Sequence, residues 1–524
     1  MVETIYTGSC SACFEIKNNA PYYAPAAYRV CLNGAPVYAG DTNVFSLFGL
    51  QPDTAYHLDI QTDNNEAFSA EFRTRPEVCA LNVKDFGAKG DGQTDDTAAI
   101  QRAVLVLPAG GRLVFPEGVY HTGPIFLKSH MTLELCKGAV LLGDRDKSKY
   151  PVIPALVPDL NSGDMVETGS FEGMARDMYA SLLTAEYAED IAIIGPGKVD
   201  GDAQNAEWWK TFKDDPVARP RLLFFNRCRN VTVHGISAAN SASWQLHPYN
   251  SSNVAFYDVF VSAPKDSPNT DALDPESCDG VEIIGCKFSV GDDCIAIKSG
   301  KIDPARPNKA PASRHTIRNC MMAFGHGAIT LGSEISGGLK EMNVSQCLFK
   351  QTDRGLRIKT RRGRGKGCDI EDVSFDNIRM EGVLTPIVIN MWYNCVDPDG
   401  NSDYVQSREK LPVDDRTPHL GAFSFCNMDC RDTEVAACYV DGLPEMPVDS
   451  VTLRNVHVSF KPDAKPGVPA MMRDAVKRCK MGLYFDNVKQ VVLENVTLEG
   501  VDGENLTARH VGLVTAEGSD VRTD

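Results

Sequence analysis

The sequence predicts an all-β chain, a right-handed parallel β-helix preceded by a small β-sandwich. Short segments with period-2 alternation recur, and the first three, Asn230-Val-Thr-Val-His, Asn253-Val-Ala-Phe-Tyr and Gly280-Val-Glu-Ile-Ile, begin 23 to 27 residues apart. A fixed period of that size marks a repeat architecture. No helical segments of about 10–15 residues alternate with these strands, which disfavours a doubly wound α/β sheet. The chain also changes character after Thr74-Arg-Pro76, from sandwich-like alternation to a turn-rich entry.

Residues 1–76 form the predicted sandwich. Tyr28-Arg-Val-Cys-Leu32 alternates, and Tyr56 follows a Pro-containing corner, resembling the tyrosine corner of fibronectin type III modules. Residues 77–524 form the predicted β-helix. It opens with a turn-rich word and an amphipathic helix for which Asp96 or Thr97 is the expected N-cap. That helix would cap the first coil, whose strand edges are otherwise unpaired. The Asp-rich stretch Gly90–Asp96 lacks the Gly and Glu positions of an EF-hand loop and reads as a turn. Strands follow at Leu113–Tyr120 and Met131–Leu135, then at His315–Asn319, Ile370–Phe375, Ser450–Arg454 and Gln490–Glu494. Longer gaps mark inserted loops near 144–186, 300–313 and 395–447.

Composition bounds the function. With 524 residues, 43% hydrophobic and 23% charged, the chain can bury a sizeable core. No run approaches the ~18 apolar residues of a membrane span. The N-terminal residues lack a basic and then apolar leader pattern, so a cytoplasmic protein is expected, or a secreted one whose signal had been removed. Seventeen cysteines cannot all pair, and several sit in apolar strand words, which points to reduced thiols. Cys10 and Cys13 form a lone C-x-x-C with nothing to complete a zinc site. A net charge of −17 argues against nucleic acid and anionic membranes as partners.

The stretch that organises the chemistry is Asn269–Gly300. Asp271 and Asp293 are 22 residues apart, about one coil, so Asp271 should stack beside the Asp292–Asp293 corner, with Asp274 close by. Crowded carboxylates push one pKa upward, and one protonated acid beside an ionised base is what glycosidic hydrolysis requires. Consecutive strand residues point to opposite faces. Asp292 and Asp293 can therefore share a cleft only if the strand ends or bends between them, for which Gly291 is a candidate.

Asn269-Thr-Asp271, Gly291-Asp-Asp-Cys-Ile-Ala-Ile-Lys298-Ser-Gly, Gly325-His326-Gly327 and Arg357-Ile-Lys359, in that order over about 90 residues, resemble the signature of family 28 glycoside hydrolases, the polygalacturonases and their relatives. The resemblance covers roughly 80–510 and implies the pectinase type of β-helix. Ala272 stands where many bacterial relatives carry Gly. Lys298 stands where fungal endo-acting members have Asn, which resembles bacterial exo-acting members.

The resemblance further implies an inverting hydrolase of α-1,4-galacturonosyl linkages, exo-acting on pectin-derived oligogalacturonate, with no metal and no cofactor. Asp292 would be the general acid. Asp271 and Asp293 would hold and deprotonate the water, and His326 would support the acid. Arg357 and Lys359, two apart and hence on one strand face, suit a galacturonate carboxylate. Asn269, Lys298 and Tyr393 join them as substrate-binding candidates. The run Arg361-Arg-Gly-Arg-Gly-Lys366 would extend the positive patch against the overall negative charge. Trp244 and His247 are candidates for outer subsites or core, and Arg219 lies in a word without an assigned role. The other readings are a rhamnogalacturonan or substituted-pectin hydrolase, a calcium-dependent lyase, and a non-catalytic β-helix that binds carbohydrate. The carboxylates and His326 count against the last.

Overall fold

The computed structural model describes residues 1–159, 162–210, 215–302, 309–394 and 399–521. Two antiparallel sheets come first. Val2–Thr7, Ser11–Ile16 and Val44–Phe48 make a three-stranded sheet, and Ala35–Thr42, Tyr23–Leu32, Ala55–Thr62 and Ala67–Arg73 a four-stranded one. Ala55–Thr62 alternates exposed and buried along its whole length, so Tyr56, Leu58 and Ile60 meet Phe14, Tyr28 and Phe45 between the sheets. The Tyr56 hydroxyl accepts the Gln51 amide at 2.8 Å and fixes the corner.

Ser11–Ile16 is buried along both faces, because its outer face lies against the solenoid. There the Glu15 carboxylate accepts two bonds from Arg318 at 2.8 Å each and one from Asn319 at 2.7 Å. The His234 ring bonds Ser46 at 2.8 Å and Ser11 at 3.3 Å. Cys10 and Cys13 are buried free thiols beside this junction, as every described cysteine is free. Burial pushes the Cys10 thiol up to about 12 and also raises Cys13, which disfavours the reactive thiolate form.

From Ala80 onward the strands wind into a parallel β-helix, with a sheet of 28 strands and a shorter ladder beside it. One ladder runs from Gly111–Phe115 through Arg229–His234, Ser252–Tyr257, Asp279–Ile284 and Ala312–Arg318. Many rungs enter through an asparagine with positive φ, among them Asn230, Asn253, Asn319, Asn427 and Asn455. Asparagine tolerates that conformation, and its amides bond from coil to coil. Inside, Leu246, Leu273, Ile295, Ile329, Leu356 and Ile387 stack in one apolar column.

The helix Thr97–Val106 buries Ala99, Ile100, Ala103 and Val104 against the first coil. Asp96 occupies the N-cap position, but its carboxylate accepts the Lys89 and Gly90 amides at 2.7 and 2.9 Å. It ties down the entry turn and leaves the Thr97 amide to Asp95 at 3.0 Å.

The loop ranges are revised by the structure. Within 144–186 the chain makes three small antiparallel pairs, including Leu156–Pro158 with Met165–Glu167 and Ser170–Phe171 with Met174–Ala175. Leu183–Glu186 is already a rung. Of 300–313, residues 303–308 lie outside the described residues and Ala312 opens a strand. Residues 395–398 of the long loop also lie outside them. That loop's range contains two true rungs, Ala422–Thr433 and Ala436–Asp441. A further excursion, residues 461–480, separates the strands Val448–Phe460 and Met481–Glu499. No helix among the described residues is long and apolar enough to cross a membrane.

Candidate active site

Leu273 and Ile295 bridge directly between adjacent coils, so Asp271 and Asp293 stand side by side two residues earlier. The Ala272 amide donates to the Asp293 carbonyl at 3.0 Å. Asp292 and Asp293 precede the strand Ile295–Ile297. They occupy a corner where strict pleat alternation does not hold, and both reach the same space. Gly291 permits this by close approach. A Cβ there would lie 2.6 Å from the Ser267 carbonyl oxygen and 2.7 Å from that of Pro264. The carboxylate oxygens of Asp271, Asp292 and Asp293 gather within 4.8 Å of one another.

Beyond the corner, the outward positions of each rung stack in two columns. One contains His247, Asp274, Thr330 and Arg357, and the other Tyr249, Glu276, Lys298 and Lys359. These columns bring the cations to the acids. Arg357 Nη1 lies 3.1 Å and Lys359 Nζ 2.8 Å from Asp293. Lys298 Nζ lies 3.2 Å from Glu334, 3.4 Å from Asp274 and 3.9 Å from Asp271, and 4.5 Å above the Trp244 ring. His326 faces Asp292 across 3.3 Å, and its amide donates to the Asp292 carbonyl at 2.9 Å. Asn269 accepts a bond from Arg219 at 2.7 Å. The Tyr393 ring sits 5.7 Å from Lys359 Nζ.

The three carboxylates are therefore not equivalent. Burial and the neighbouring Asp274 and Asp292 push Asp271 well above the usual carboxylate range. Burial also opposes ionisation of Asp293, but Lys359 and Arg357 outweigh it and hold that group low. Burial raises Asp274 to about 7 against the pull of Lys298. The hydrogen bond to Asp292 raises His326 above its ordinary value. One carboxylate is fixed as an anion and another favours its proton, which is the division of labour that acid–base hydrolysis needs.

The acid, histidine and sugar-binding candidates Asp271, Asp292, Asp293, His326, Arg357, Lys359, Asn269, Lys298 and Tyr393 meet in or beside one cleft of about 750 Å³. Its wall holds eight Lys and Arg side chains against four Asp and Glu, a local excess of positive charge on a chain of net −17. The basic run divides. Arg361 and Arg364 line the cleft, but Arg362 is buried against Glu445 and donates to carbonyls of Ser407 and Glu409. Lys366 is exposed beside Asp415. Trp244 lines the cleft, whereas His247 is buried and bound to Glu276 at 3.1 Å.

Several cleft residues carried no role in the sequence reading. Glu334 follows the Gly-His-Gly word and could have been found from its place beside Lys298 one coil away. Phe171, Arg176 and Met471 come from inserted segments and gave no local signal. The Asp271–Asp292–Asp293 group also has donor atoms close enough for a cation. Arg357, Lys359 and Lys298 already supply its countercharge, and the hydrolytic chemistry requires no metal.

Residues 167–409 match the family described as Glycosyl hydrolases family 28, and residues 80–155 match Rhamnogalacturonase A/epimerase, pectate lyase-like. A probable polygalacturonase of Vitis vinifera is 30% identical over 395 residues, 74% of this chain and 75% of that protein. The exo-poly-alpha-D-galacturonosidase of Dickeya chrysanthemi is 25% identical, over 69% of this chain and 65% of that one. The exopolygalacturonase structure from Thermotoga maritima is 27% identical with a TM-score of 0.65, covering 80% of this chain and 92% of the other. The Yersinia enterocolitica family 28 exopolygalacturonase shares the fold along 99% of both chains, at 20% identity and a TM-score of 0.70. With the acidic corner and its cations in the order the family words require, this chain belongs to family 28 of the glycosyl hydrolases.

Proposed function

We propose that the protein removes galacturonate units from the end of α-1,4-linked galacturonate chains derived from pectin, by single displacement with inversion. The observation that carries this reading is the Asp271–Asp292–Asp293 corner set in a cleft with a local excess of cations. Anionic sugars need the cations, and bond cleavage needs the acids.

Asp292, exposed to the cleft and paired with His326, donates a proton to the departing glycosidic oxygen. Asp293, held as an anion by Lys359 and Arg357, deprotonates the attacking water, and Asp271, which favours its proton, helps to orient that water. Arg357 and Lys359 also face the cleft, where a sugar carboxylate can share their donors. Asn269, Lys298 and Tyr393 complete the sugar contacts.

Exo action is favoured by the hairpin around Phe171 and Met174. Its Phe171 and Glu172 line the cleft on the side of the earlier coils, next to Trp244. Phe171 stacks on Trp244 at 5.9 Å, and Arg221 lies 5.5 and 4.7 Å from those two rings. The Gly173 carbonyl accepts the Lys301 amide at 2.9 Å. A Cβ at Gly173 would come within 2.8 Å of that nitrogen. The relatives named as exo-acting agree with this reading.

The test is product analysis on polygalacturonate and end-labelled oligogalacturonates, with Asp292→Asn as control. Saturated mono- or digalacturonate from the first time point, lost in the variant, supports the proposal. No cleavage by the folded protein refutes it and directs attention to rhamnogalacturonan fragments. Stereochemistry is a separate readout. The carboxylates are closer than the ~6.5–9.5 Å usual for a two-carboxylate inverting pair, and here three groups share the work. Early appearance of the β-anomer in proton NMR supports inversion, and of the α-anomer a covalent intermediate.

A further inference from the structure

The hairpin around Phe171 lines the cleft on the side of the earlier coils. On the side of the later coils stands the excursion 461–480, and its tip residue Met471 lines the same cavity as Arg357, Tyr393 and Gly400. Arg357 Nη2 points at Met471 Sδ. The Met471 carbonyl accepts Asn390 Nδ2 at 3.0 Å and the Asn394 amide at 3.0 Å. Asn390 pairs with Lys359 in the next rung, so this tip is fastened to the cleft floor itself.

The rest of the excursion is anchored as firmly. Arg354, on the strand that carries Arg357 and Lys359, donates to the Val468 carbonyl at 2.5 Å and to that of Pro469 at 3.3 Å. Arg473 pairs with Asp403 at 3.1 Å, and Met472 Sδ accepts Arg408 at 3.2 Å. The excursion and the segment around Asp403–Arg408 brace each other across the outward face. A chain of sugars passing Arg357 along the solenoid axis meets Met471 at the next rungs, about 5 Å per rung beyond. The cleft volume of about 750 Å³ lies in the range of sites for a single small ligand, about 300–1,000 Å³.

We propose that the excursion 461–480, with Met471 at its tip, is a chain-length filter that confines the cleft to short oligogalacturonates and turns away polymer. The inference rests on the galacturonate reading above and adds to it. Both walls line the one cleft that holds Asp292, so its total volume bounds the length of chain it can take. Substrates of that size must be supplied by an enzyme that first fragments the polymer, by internal hydrolysis or by elimination.

The filter is tested by kcat/KM on purified galacturonate oligomers from dimer to hexamer and on polygalacturonate, for the wild type and for Met471→Ala. Met471 is 36% exposed, and alanine removes its sulfur contact with Arg357 but keeps both bonds to its carbonyl, so the excursion stays in place, as a matched Tm would verify. The expected wild-type profile peaks at short oligomers and falls with length. In Met471→Ala the hexamer-to-dimer ratio of kcat/KM rises by about tenfold, the scale of discrimination a single wall contact supplies. Arg354→Ala, which frees Val468 and Pro469, should move the ratio the same way. A wild-type kcat/KM that is flat or rising up to polymer overturns the filter and leaves the galacturonate assignment standing. An unchanged ratio in both variants also overturns it. Absence of cleavage of any oligomer overturns the underlying assignment instead.

Discussion

Asp274 gives the sharpest quantitative prediction. It is wholly buried, and neither carboxylate oxygen has an aligned hydrogen-bond partner. The Lys298 ammonium approaches to 3.4 Å, near enough for Coulomb attraction but not aligned as a bond. Burial raises the group to about 7 from the ordinary 3.8. The unfolded chain releases this proton near 3.8, so between there and 7 the folded state binds more protons and stability falls as pH rises. The full penalty, reached above pH 7, is about 4 kcal/mol, of which about 2–3 kcal/mol develops between pH 5 and pH 8. Asp274→Asn keeps the shape and removes the penalty. Relative to wild type, the variant should gain about 2–3 kcal/mol on going from pH 5 to pH 8, read as about 2–3 °C in Tm for a chain of this length. Thermal melts of both proteins across that range are the assay. A Tm difference that stays constant with pH, or a wild type that gains on the variant at pH 8, would refute the argument. Either result would mean that Lys298 keeps Asp274 ionised in the fold.

Other expectations follow from the same geometry. Asp292→Asn should lower kcat by about 10²–10⁴-fold, the usual contribution of a general acid, with KM little changed. His326 carries a raised pKa through its bond to Asp292, so its charge is present at acid pH and persists further upward than a free imidazole's before it is lost. His326→Asn should depress kcat/KM most on the acid side and flatten the alkaline limb. Lys359→Met removes one of two cations from the buried Asp293, at a cost of about 3–5 kcal/mol, seen as a lower Tm and a lower kcat together. Arg318→Met strips the main partner from buried Glu15. It should cost a similar ~3–5 kcal/mol and open the chain near Thr74–Cys79 to proteolysis, and unchanged protease resistance would refute that role.

What the sequence disclosed follows from the geometry of a solenoid. A coil is a local object, so the 22-residue separation of Asp271 and Asp293 translates directly into the bridge between Leu273 and Ile295. Arg357 and Lys359 share a strand face for the same reason. The separate fates of Asp271 and Asp293 were not legible, because they depend on which cations the stacked columns deliver. Phe171 and Met471 were hidden more deeply. Inserted segments carry no period, and only tertiary anchoring by Gly173 and by Arg354 returns them to the cleft. The basic run 361–366 misled by adjacency, since its turn sends Arg362 into the interior and Lys366 out to solvent.

The two outward columns beside the acidic corner have a consequence for how such a protein can change. Most coils contribute one side chain to each column, backed by an apolar residue on the inner face, and Gly332 leaves one place in the Lys298–Lys359 column open. A substitution at Lys298 or Lys359 edits the lining of the cleft at one address and leaves the hydrophobic stack behind it untouched. Recognition is thus modular along the axis, and new sugar preferences can arise one coil at a time without renegotiating the architecture.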